Sequence, residues 1–355
     1  MAGLTRYDNS DKVIDTQKII TSTWSDNTND ASTFFGTSFQ PNTQSVAVSN
    51  DATSSNAFFI EVYNTGSNQT VKEAQYAITY GHKKGSGSKD FTNDEGAFGN
   101  SPSKIIYNQY RQLVYGDETS DFNFEGTTPD DIYVINVNRA RYKHNLKAGS
   151  LNLQLSSSIS LTNPEKYMVL NLTDDSVTAT GSAVITNAGR QFNLVSGSSG
   201  VMSGSSKVQT RNGSYGFFYP DAGFIILNAG ALSASIHLSS SRNQNEPISK
   251  NITTFKNAIS GSDGGKFIVD SEEKVTSQYF FTRAKNNEYN YTTNPSFIDT
   301  NGNLNYTSMV DNPKTFITTI GLYNDSNDLV AVAKVSQPIS KDFSKEALMR
   351  VKLDY

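Results

Sequence analysis

Side chains that could carry acid–base or metal chemistry are sparse in this sequence. The three histidines are His82, His144 and His237, and no two of them stand at the spacing of a zinc site. The chain has no cysteine, which excludes a disulfide framework, a thiolate metal site and a cysteine nucleophile. These residue types therefore predict neither a metal centre nor a cysteine–histidine catalytic pair.

An acidic run is the nearest approach to a catalytic carboxylate pair. Four carboxylates and two phenylalanines make up the run: Asp117, Glu118, Asp121, Phe122, Phe124 and Glu125. General acid–base catalysis needs carboxyl groups held in a tuned environment, whereas acids on a polar turn are normally solvated. We interpret the run as a solvated loop, in which the two aromatic residues equally suit a contact surface.

Two loops match ligand-binding motifs only in part. Residues 82–89 are rich in glycine and lysine but lack the Gly-Lys-Ser/Thr ending of a phosphate-binding loop, which favours a flexible surface loop. Residues 299–303 begin like a calcium loop, but the distal glutamate is missing, so a tight turn is predicted. The sequence therefore predicts no catalytic, cofactor-binding or metal-binding residues, and no cofactor.

Two clusters have both a functional and a structural interpretation. The basic stretch 139–144 follows a predicted strand and suits either docking on an acidic partner or an exposed edge strand blunted by charge. The aromatic run 217–219 suits either a substrate pocket or a sheet core. In both cases the structural interpretation is the stronger.

Composition indicates a thin core built from many short strands. Hydrophobic residues make up 36% of the 355 positions, below the roughly 45–50% of an average globular chain, yet 11% aromatic content argues against disorder. A net charge of -4 without a dense basic run disfavours a nucleic-acid partner. No apolar run approaches the ~18–20 residues of a membrane span and no secretory signal is visible, so we expect no membrane association and synthesis in a cytoplasm.

The hydrophobic periodicity predicts a mainly β, β-rich α+β fold of antiparallel, sandwich-like sheets with a few short helices. Predicted strands include 58–63, 73–81, 132–138, 150–161, 167–173, 182–186, 191–195, 215–228 as a hairpin, and 275–283. A helix at about 102–115 begins at Ser101-Pro102 and places Ile106, Tyr110 and Leu113 on one face. A second helix covers 249–259.

The most strongly patterned segment is 315–355. A hairpin turns at 324–328, and alternation places Phe316 with Ile320 and Leu322 on one face of a sheet interior. Pro338 is expected to end the returning strand, because proline donates no ladder hydrogen bond.

A charged connection at 340–345 then leads into a final strand. Met349, Val351, Leu353 and Tyr355 are expected to point inward from it. Charge changes at the connection's lysines are expected to leave folding intact; these lysines are Lys341 and Lys345.

Four segments follow from these patterns. They are a polar N-terminal arm at 1–56, a β-rich domain with one helix at 57–165, a β-rich middle domain at 166–270, and a C-terminal β domain at 271–355 expected to pack with 57–165. The arm suits two interpretations: it orders along a partner, or it folds back on its own domain. A thin core with such an arm favours an assembly.

Three segments are distinctive enough to compare with a known family. They are 215–228, the Asn-Pro-Ser-Phe turn at 294–297, and 313–355 with its run Pro-Lys-Thr-Phe-Ile-Thr-Thr-Ile-Gly-Leu-Tyr-Asn. These segments, and more loosely 105–155, resemble virion structural proteins of contractile-tailed phages, in particular the baseplate wedge family of T-even-like and cyanobacterial myoviruses. The resemblance implies a non-enzymatic, β-rich subunit in the tail or baseplate of the virion, made in the host bacterial cytoplasm. Its implied partners are other virion or baseplate proteins or a second copy of this chain.

Two alternatives stay open. The first is a receptor-binding or tail-fibre-attachment protein of the same virion, which would show an exposed aromatic pocket or a trimeric stalk. The second is a β-sandwich carbohydrate-active enzyme, which requires two carboxylates about 5–10 Å apart in a cleft.

Overall fold

The fold is mainly β, as the sequence predicts, with 46% of the described residues in strands and 16% in helices. A computed structural model describes residues 6–25, 30–34, 43–47, 57–64, 73–88, 101–158, 167–178, 183–204, 211–243, 246–260, 265–292 and 294–355.

Eighteen strands and three α-helices occur in these described residues. The strands are β1 (Lys12–Ser22), β2 (Thr43–Ala47), β3 (Ala57–Tyr63), β4 (Ala74–His82), β5 (Asp131–Val137), β6 (Asn145–Leu146), β7 (Asn152–Ser158), β8 (Tyr167–Asp174), β9 (Val184–Thr186), β10 (Gly189–Ser198), β11 (Val201–Met202), β12 (Gly216–Tyr219), β13 (Phe224–Asn228), β14 (Lys266–Ile268), β15 (Asp270–Ala284), β16 (Thr315–Tyr323), β17 (Leu329–Lys341) and β18 (Ala347–Asp354). The helices are α1 (Pro102–Tyr115), α2 (Ala229–Ile236) and α3 (Ser249–Ile259).

The chain forms two compact units. The first is Ile19–Glu273, and the second combines Met1–Lys18 with Lys274–Tyr355. The expected ranges 57–165 and 166–270 both contribute strands to one sheet of the first unit. The expected packing of 271–355 with 57–165 stays a prediction.

The first unit is built on one antiparallel sheet. Its described strands run in the order β14-β7-β8-β10-β12-β13-β5-β4-β3-β2, and β9 and β11 also pair with β10. Strand β5 lies between β13 and β4, and its residues from Ile132 to Ile135 are all fully buried. The interpretation of 139–144 as the end of an exposed edge strand is therefore wrong, because a strand apolar on both faces needs neighbours on each side.

Helix α3 packs on one face of this sheet. The ring of Phe255 stacks on Tyr133 of β5 with 4.7 Å between ring centroids. The same helix contacts β7 as well as β3 and β4, which are far apart in the strand order. The sheet must therefore curl around α3 for all three strands to reach it.

Helix α1 packs on the opposite face. Ile106 and Tyr110 are buried against the sheet as predicted, but Leu113 is 44% exposed and Val114 is 1% exposed instead. The prediction for Leu113 is wrong because the helix docks through the i, i+4, i+8 row. The contact-surface interpretation of the two loop phenylalanines, Phe122 and Phe124, is also wrong, since both are fully buried in this core.

The second unit places a two-stranded ribbon, β16–β17, over strands β15 and β18. Buried or half-buried apolar residues join the two layers, among them Ile320 and Leu322 of the ribbon with Met349 and Val351 of β18. The predicted hairpin is confirmed, and its turn is closed by a hydrogen bond from the Asn324 amide to the Asp328 carbonyl at 3.0 Å.

Two details of the ribbon differ from expectation, and both arise at one irregularity. Strand β17 continues through Pro338 to Lys341, because the regular pairing is interrupted between Lys334 and Ile339 and Pro338 lies within that interruption. The matching register shift in β16 lies between Ile317 and Thr319. Between the pairs Ile317–Ile339 and Thr319–Lys334, β16 advances two residues and β17 advances five, and such an odd mismatch reverses the buried face. Phe316 is therefore 61% exposed instead of sharing the buried face.

The final strand largely follows the predicted alternation. Met349 and Val351 are buried and Leu353 is half-buried, but Tyr355 is 72% exposed, so the inward placement of Tyr355 is wrong.

The described parts of the predicted N-terminal arm pack on their own chain, and the expectation that the arm orders along a partner stays a prediction. Trp24 is buried, with ring centroids 5.0 Å from Phe267 and 5.6 Å from Tyr76, so this part folds onto the first unit. Strand β1 pairs with β15, and its residues from Lys12 to Thr21 are exposed.

Candidate functional site

The structure does not bring the three histidines together. His82 is buried at the end of β4, His144 is exposed, and His237 takes a left-handed conformation at the end of α2 with φ 56°. Across the described ranges, no group of three histidine, cysteine or acidic side chains could hold a metal ion.

A serine, a histidine and an aspartate do meet beside β5. The Ser240 hydroxyl donates directly to Asp131 Oδ2, and Nη2 of Arg242 lies 3.6 Å from Asp131 Oδ1. The ring of His82 instead accepts the Lys84 amide at Nδ1, at 3.0 Å. Because the imidazole does not link the hydroxyl to the carboxylate, the cluster lacks the geometry of a catalytic triad.

The acidic run is structural. Asp117 accepts hydrogen bonds from Thr119 and Ser120 in its own turn, and these bonds lower the pKa of its carboxyl group. Asp121 forms ion pairs with Lys83 and, at 2.9 Å, with Arg111. The predicted solvated loop is thus tied to the helix and to the neighbouring turn.

Two other sequence candidates are structural as well. Asp299 accepts the amides of Asn301 and Asn303, each at 2.8 Å, and forms a turn as predicted. The aromatic run 217–219 is buried in β12, which confirms the sheet-core interpretation over the pocket.

An open groove lies on the sheet face that α1 covers in part. Gly81 of β4 determines how closely the helix approaches this face. A Cβ at Gly81 would lie 3.0 Å from the backbone nitrogen of Tyr107, so glycine lets α1 approach β4 closely. Further along the same face of β4, Thr79 and Ala77 line open space beside the helix. We call this surface the sheet groove.

The sheet groove has two adjoining lobes of about 370 and 430 Å³. Phe59, Ala77 and Asn136 line both lobes and lie on the neighbouring strands β3, β4 and β5. The first lobe also includes α1 residues, namely Ile105, Gln109 and Tyr110. The second lobe is more polar and includes Glu61, Asn138, Arg139 and Tyr142. Both volumes fall in the range of about 300–1,000 Å³ typical of small-molecule sites.

Hydrogen bonds fix the polar groups of the second lobe. The Tyr63 hydroxyl donates to Oε2 of Glu61. Burial raises the pKa of Tyr63 to about 12, and the Glu61 carboxylate adds to the increase. Arg139 lies over the Tyr142 ring, 4.7 Å from its centroid, and donates from Nη1 to the Tyr142 carbonyl at 2.6 Å. The lobe therefore presents one carboxylate and one guanidinium in set positions.

The first lobe has an aromatic hydroxyl and two amides. Burial raises the pKa of Tyr110 to about 12, while the nearby Asn136 amide partly opposes the shift. The Gln109 and Asn136 side chains are exposed at the groove surface. The sequence signal for Asn136 is its place as a polar residue between Ile135 and Val137 in an apolar part of β5.

A second exposed feature is the outer side of the β16–β17 ribbon. Five large apolar residues are exposed there, and we call them the ribbon face: Phe316, Tyr323, Leu329, Val330 and Val332. Tyr323 pairs with Leu329 across the ribbon, and both lie over Gly321, where an added Cβ would be 3.0 and 3.2 Å from their side chains. Several large apolar side chains exposed on one ribbon are typical of an interaction site.

Comparisons of this chain with known proteins identify no relative. No family model, no curated protein and no solved structure matches the chain. In the part of the chain that the structure describes, no helix is long and apolar enough to cross a membrane.

Proposed function

We propose that the chain is a structural subunit of a bacteriophage virion, a baseplate wedge component of a contractile tail that acts through protein–protein interfaces. The observation that carries the interface role is the ribbon face, where Phe316 is 61% and Val330 is 66% exposed. The wedge assignment rests on the resemblance of 313–355, the segment that contains this ribbon.

The physical argument is that an exposed apolar surface gains free energy when a partner covers it, by roughly 25 cal/mol per Å² of apolar area. The ribbon already uses its other side as core, through Ile320 and Leu322. A neighbouring subunit on the ribbon face would therefore be held by the same strands that stabilise the second unit.

The first test is to label the chain and image intact phage particles. We expect density for the chain in the baseplate, and its absence from tail and baseplate would refute the assignment. The second test compares Phe316→Asp with Thr318→Asp, which changes an exposed polar residue of the same strand. We expect both variants to fold, but only Phe316→Asp to lower incorporation into particles, by about tenfold or more.

One observation favours a receptor-binding or fibre-attachment protein of the same virion as the second candidate. The sheet groove supplies an exposed pocket with aromatic lining, from Phe58, Phe59 and Tyr110. Purified protein would then compete with whole phage for adsorption to host cells, whereas a wedge subunit would leave adsorption unchanged.

A further inference from the structure

We propose that the sheet groove binds a neutral oligosaccharide through side chains alone. This inference goes beyond an assembly role and rests on the groove itself, so it holds whichever position the chain has in a virion. It starts from the row Glu61, Ala77 and Asn136, which are neighbours on β3, β4 and β5.

The groove lies on the face of a sheet and not at an edge, and this location disfavours an extended peptide as the ligand. Strand β3 pairs with β2 and β4, strand β4 with β3 and β5, and strand β5 with β4 and β13. The backbone groups of all three floor strands are therefore committed to the ladder. An extended peptide binds a sheet mainly by adding a strand to an open edge, and this floor offers none.

Both lobes offer hydrogen-bonding groups that suit hydroxyls. Oε1 of Glu61 stays an acceptor while Tyr63 occupies Oε2, and Arg139 keeps its Nε and Nη2 donors while Nη1 serves Tyr142. The amide nitrogen of Asn138 is a further donor, since its oxygen accepts from Ala140. A hydroxyl both donates and accepts, so a polyhydroxylated ligand can satisfy this mixture.

Charge and apolar surface narrow the ligand class. Glu61 and Arg139 carry opposite charges on one lobe, which balances the lining and favours a ligand without net charge. Phe59 lines both lobes, and an aromatic face attracts the weakly positive C–H groups of a sugar ring. Ala77 lies between Glu61 and Asn136 on the neighbouring strands, and its small side chain keeps the floor open for such a ring.

The arrangement indicates binding and not hydrolysis. Retaining and inverting glycosidases need a pair of carboxylates flanking the scissile bond. Among the described residues that line the sheet groove, Glu61 alone carries a carboxylate.

The test titrates the full chain with three neutral tetrasaccharides, maltotetraose, cellotetraose and chitotetraose, using saturation-transfer NMR and calorimetry. We expect at least one to bind. Gln109→Ala and Asn136→Ala should each weaken binding roughly threefold to tenfold, the effect of one neutral hydrogen bond, and Ala77→Phe should abolish it by filling the floor.

Matched controls separate the groove from general surface effects. Gln112→Ala changes an exposed glutamine of the same helix outside the groove, and Asn171→Ala changes an exposed asparagine in strand β8. Both should bind as the unchanged chain does, and thermal unfolding of every variant identifies any that fails to fold. Gln109 is exposed on the helix surface, so its substitution keeps the test open even if Ala77→Phe misfolds.

Three results would overturn the inference. They are the absence of binding by all three sugars up to about 10 mM, binding that the groove variants leave unchanged, and binding of an extended peptide in the groove in place of the sugars. None of them bears on particle imaging, so failure of this inference and failure of the baseplate proposal are distinguishable.

Discussion

Asp174 is a buried carboxylate with an incomplete set of partners. Its Oδ2 accepts the Gly149 amide at 2.7 Å, whereas among the described residues no hydrogen bond of good geometry reaches its Oδ1, and the nearby Ser176 hydroxyl only partly opposes the effect of burial. Burial raises the pKa of the Asp174 carboxyl above its ordinary value. The folded state therefore holds this proton more tightly than the unfolded chain does, which makes this residue a source of pH-dependent stability.

The sign of that dependence follows from linkage. Because the folded pKa of Asp174 is raised, its contribution to stability is complete below the unfolded value near ~4 and is lost as pH rises through the folded pKa. We expect Asp174→Asn to raise the unfolding midpoint of the first unit at pH 7 by roughly 2–4 °C, about 1 kcal/mol, because the amide can donate to Ser176. Calorimetry should show this gain disappear by about pH 4.

The neighbouring residue provides a matched control. Asp175 accepts the Asn193 backbone amide at 3.0 Å and the Asn193 side-chain amide at 3.2 Å, one on each oxygen. Asp175→Asn would keep one acceptor but turn its NH2 group toward the other donor, and should destabilise the unit. A less stable Asp174→Asn at pH 7 would contradict the argument.

Lys341 reverses an expectation from the sequence. Its side chain is fully buried, and Nζ donates to the carbonyl of Asn286 and to Oδ1 of Asn290 at 2.9 Å and to the carbonyl of Asp342 at 3.0 Å. The sequence places Lys341 in a charged connection where charge changes are expected to leave folding intact, and the burial of Lys341 argues against that expectation. The sequence could not show it, because two of the acceptors come from a loop about fifty residues earlier in the chain.

Removing that ammonium group should destabilise the second unit. Lys341→Met removes three hydrogen bonds and takes the ammonium donor away from two buried residues, Asn290 and Asp342, for which we expect a loss of about 1–3 kcal/mol in urea unfolding. Lys345→Ala is the control: Lys345 is 57% exposed, 3.7 Å from Asp342, and its loss should change stability by at most about 0.5 kcal/mol. Equal effects of the two substitutions would rule out this role for Lys341.

At the scale of elements, the buried side of the ribbon decides whether the second unit folds. Ile320 is 9% and Val351 is 5% exposed, and both lie in the core between ribbon and sheet. Ile320→Asp or Val351→Asp would bury an unpaired carboxylate, at a cost of several kcal/mol. We expect limited proteolysis to cut this unit in either variant and to spare Thr318→Asp, and resistance of the Ile320→Asp chain would show that the ribbon is not core.

Elements were predictable where local chemistry fixes them. Helix α3 begins and ends as predicted, at Ser249 and Ile259, and the turn at Pro220 joins β12 to β13 as expected. Helix α2 was missed, because its eight small and apolar residues lack a periodic polar face and its start depends on the Asn228 side chain accepting the Ala231 amide. The face of Phe316 was mispredicted because a bulge leaves no mark in the alternation itself.

At the scale of the whole molecule, two compact units should respond separately to their own substitutions. Asp174 lies in the unit Ile19–Glu273, and Lys341 lies in the other. We expect two calorimetric transitions, of which Asp174→Asn moves one and Lys341→Met the other. A single transition shifted by both variants would contradict this division.

The sheet of the first unit could not be assembled from the sequence. Pairs such as β4 with β5 and β14 with β7 join segments separated by long stretches of chain, and their registers depend on side-chain packing in three dimensions. The sheet groove was missed for the same reason. No sequence pattern distinguishes Ala77. It lines the groove floor because Gly81 fixes the position of α1 beside it.

The pairing of β1 with β15 also sets an order of events during synthesis. The Tyr7 hydroxyl bonds to Thr282, 275 positions later, and its ring lies 5.6 Å from that of Phe280. At about 5–20 residues per second, the ribosome delivers that partner strand roughly 15–55 s after Tyr7. Throughout that interval the nascent chain carries Val13 and Ile14 without their neighbouring strand, so a chaperone that holds extended apolar segments can bind β1 until β15 has been made.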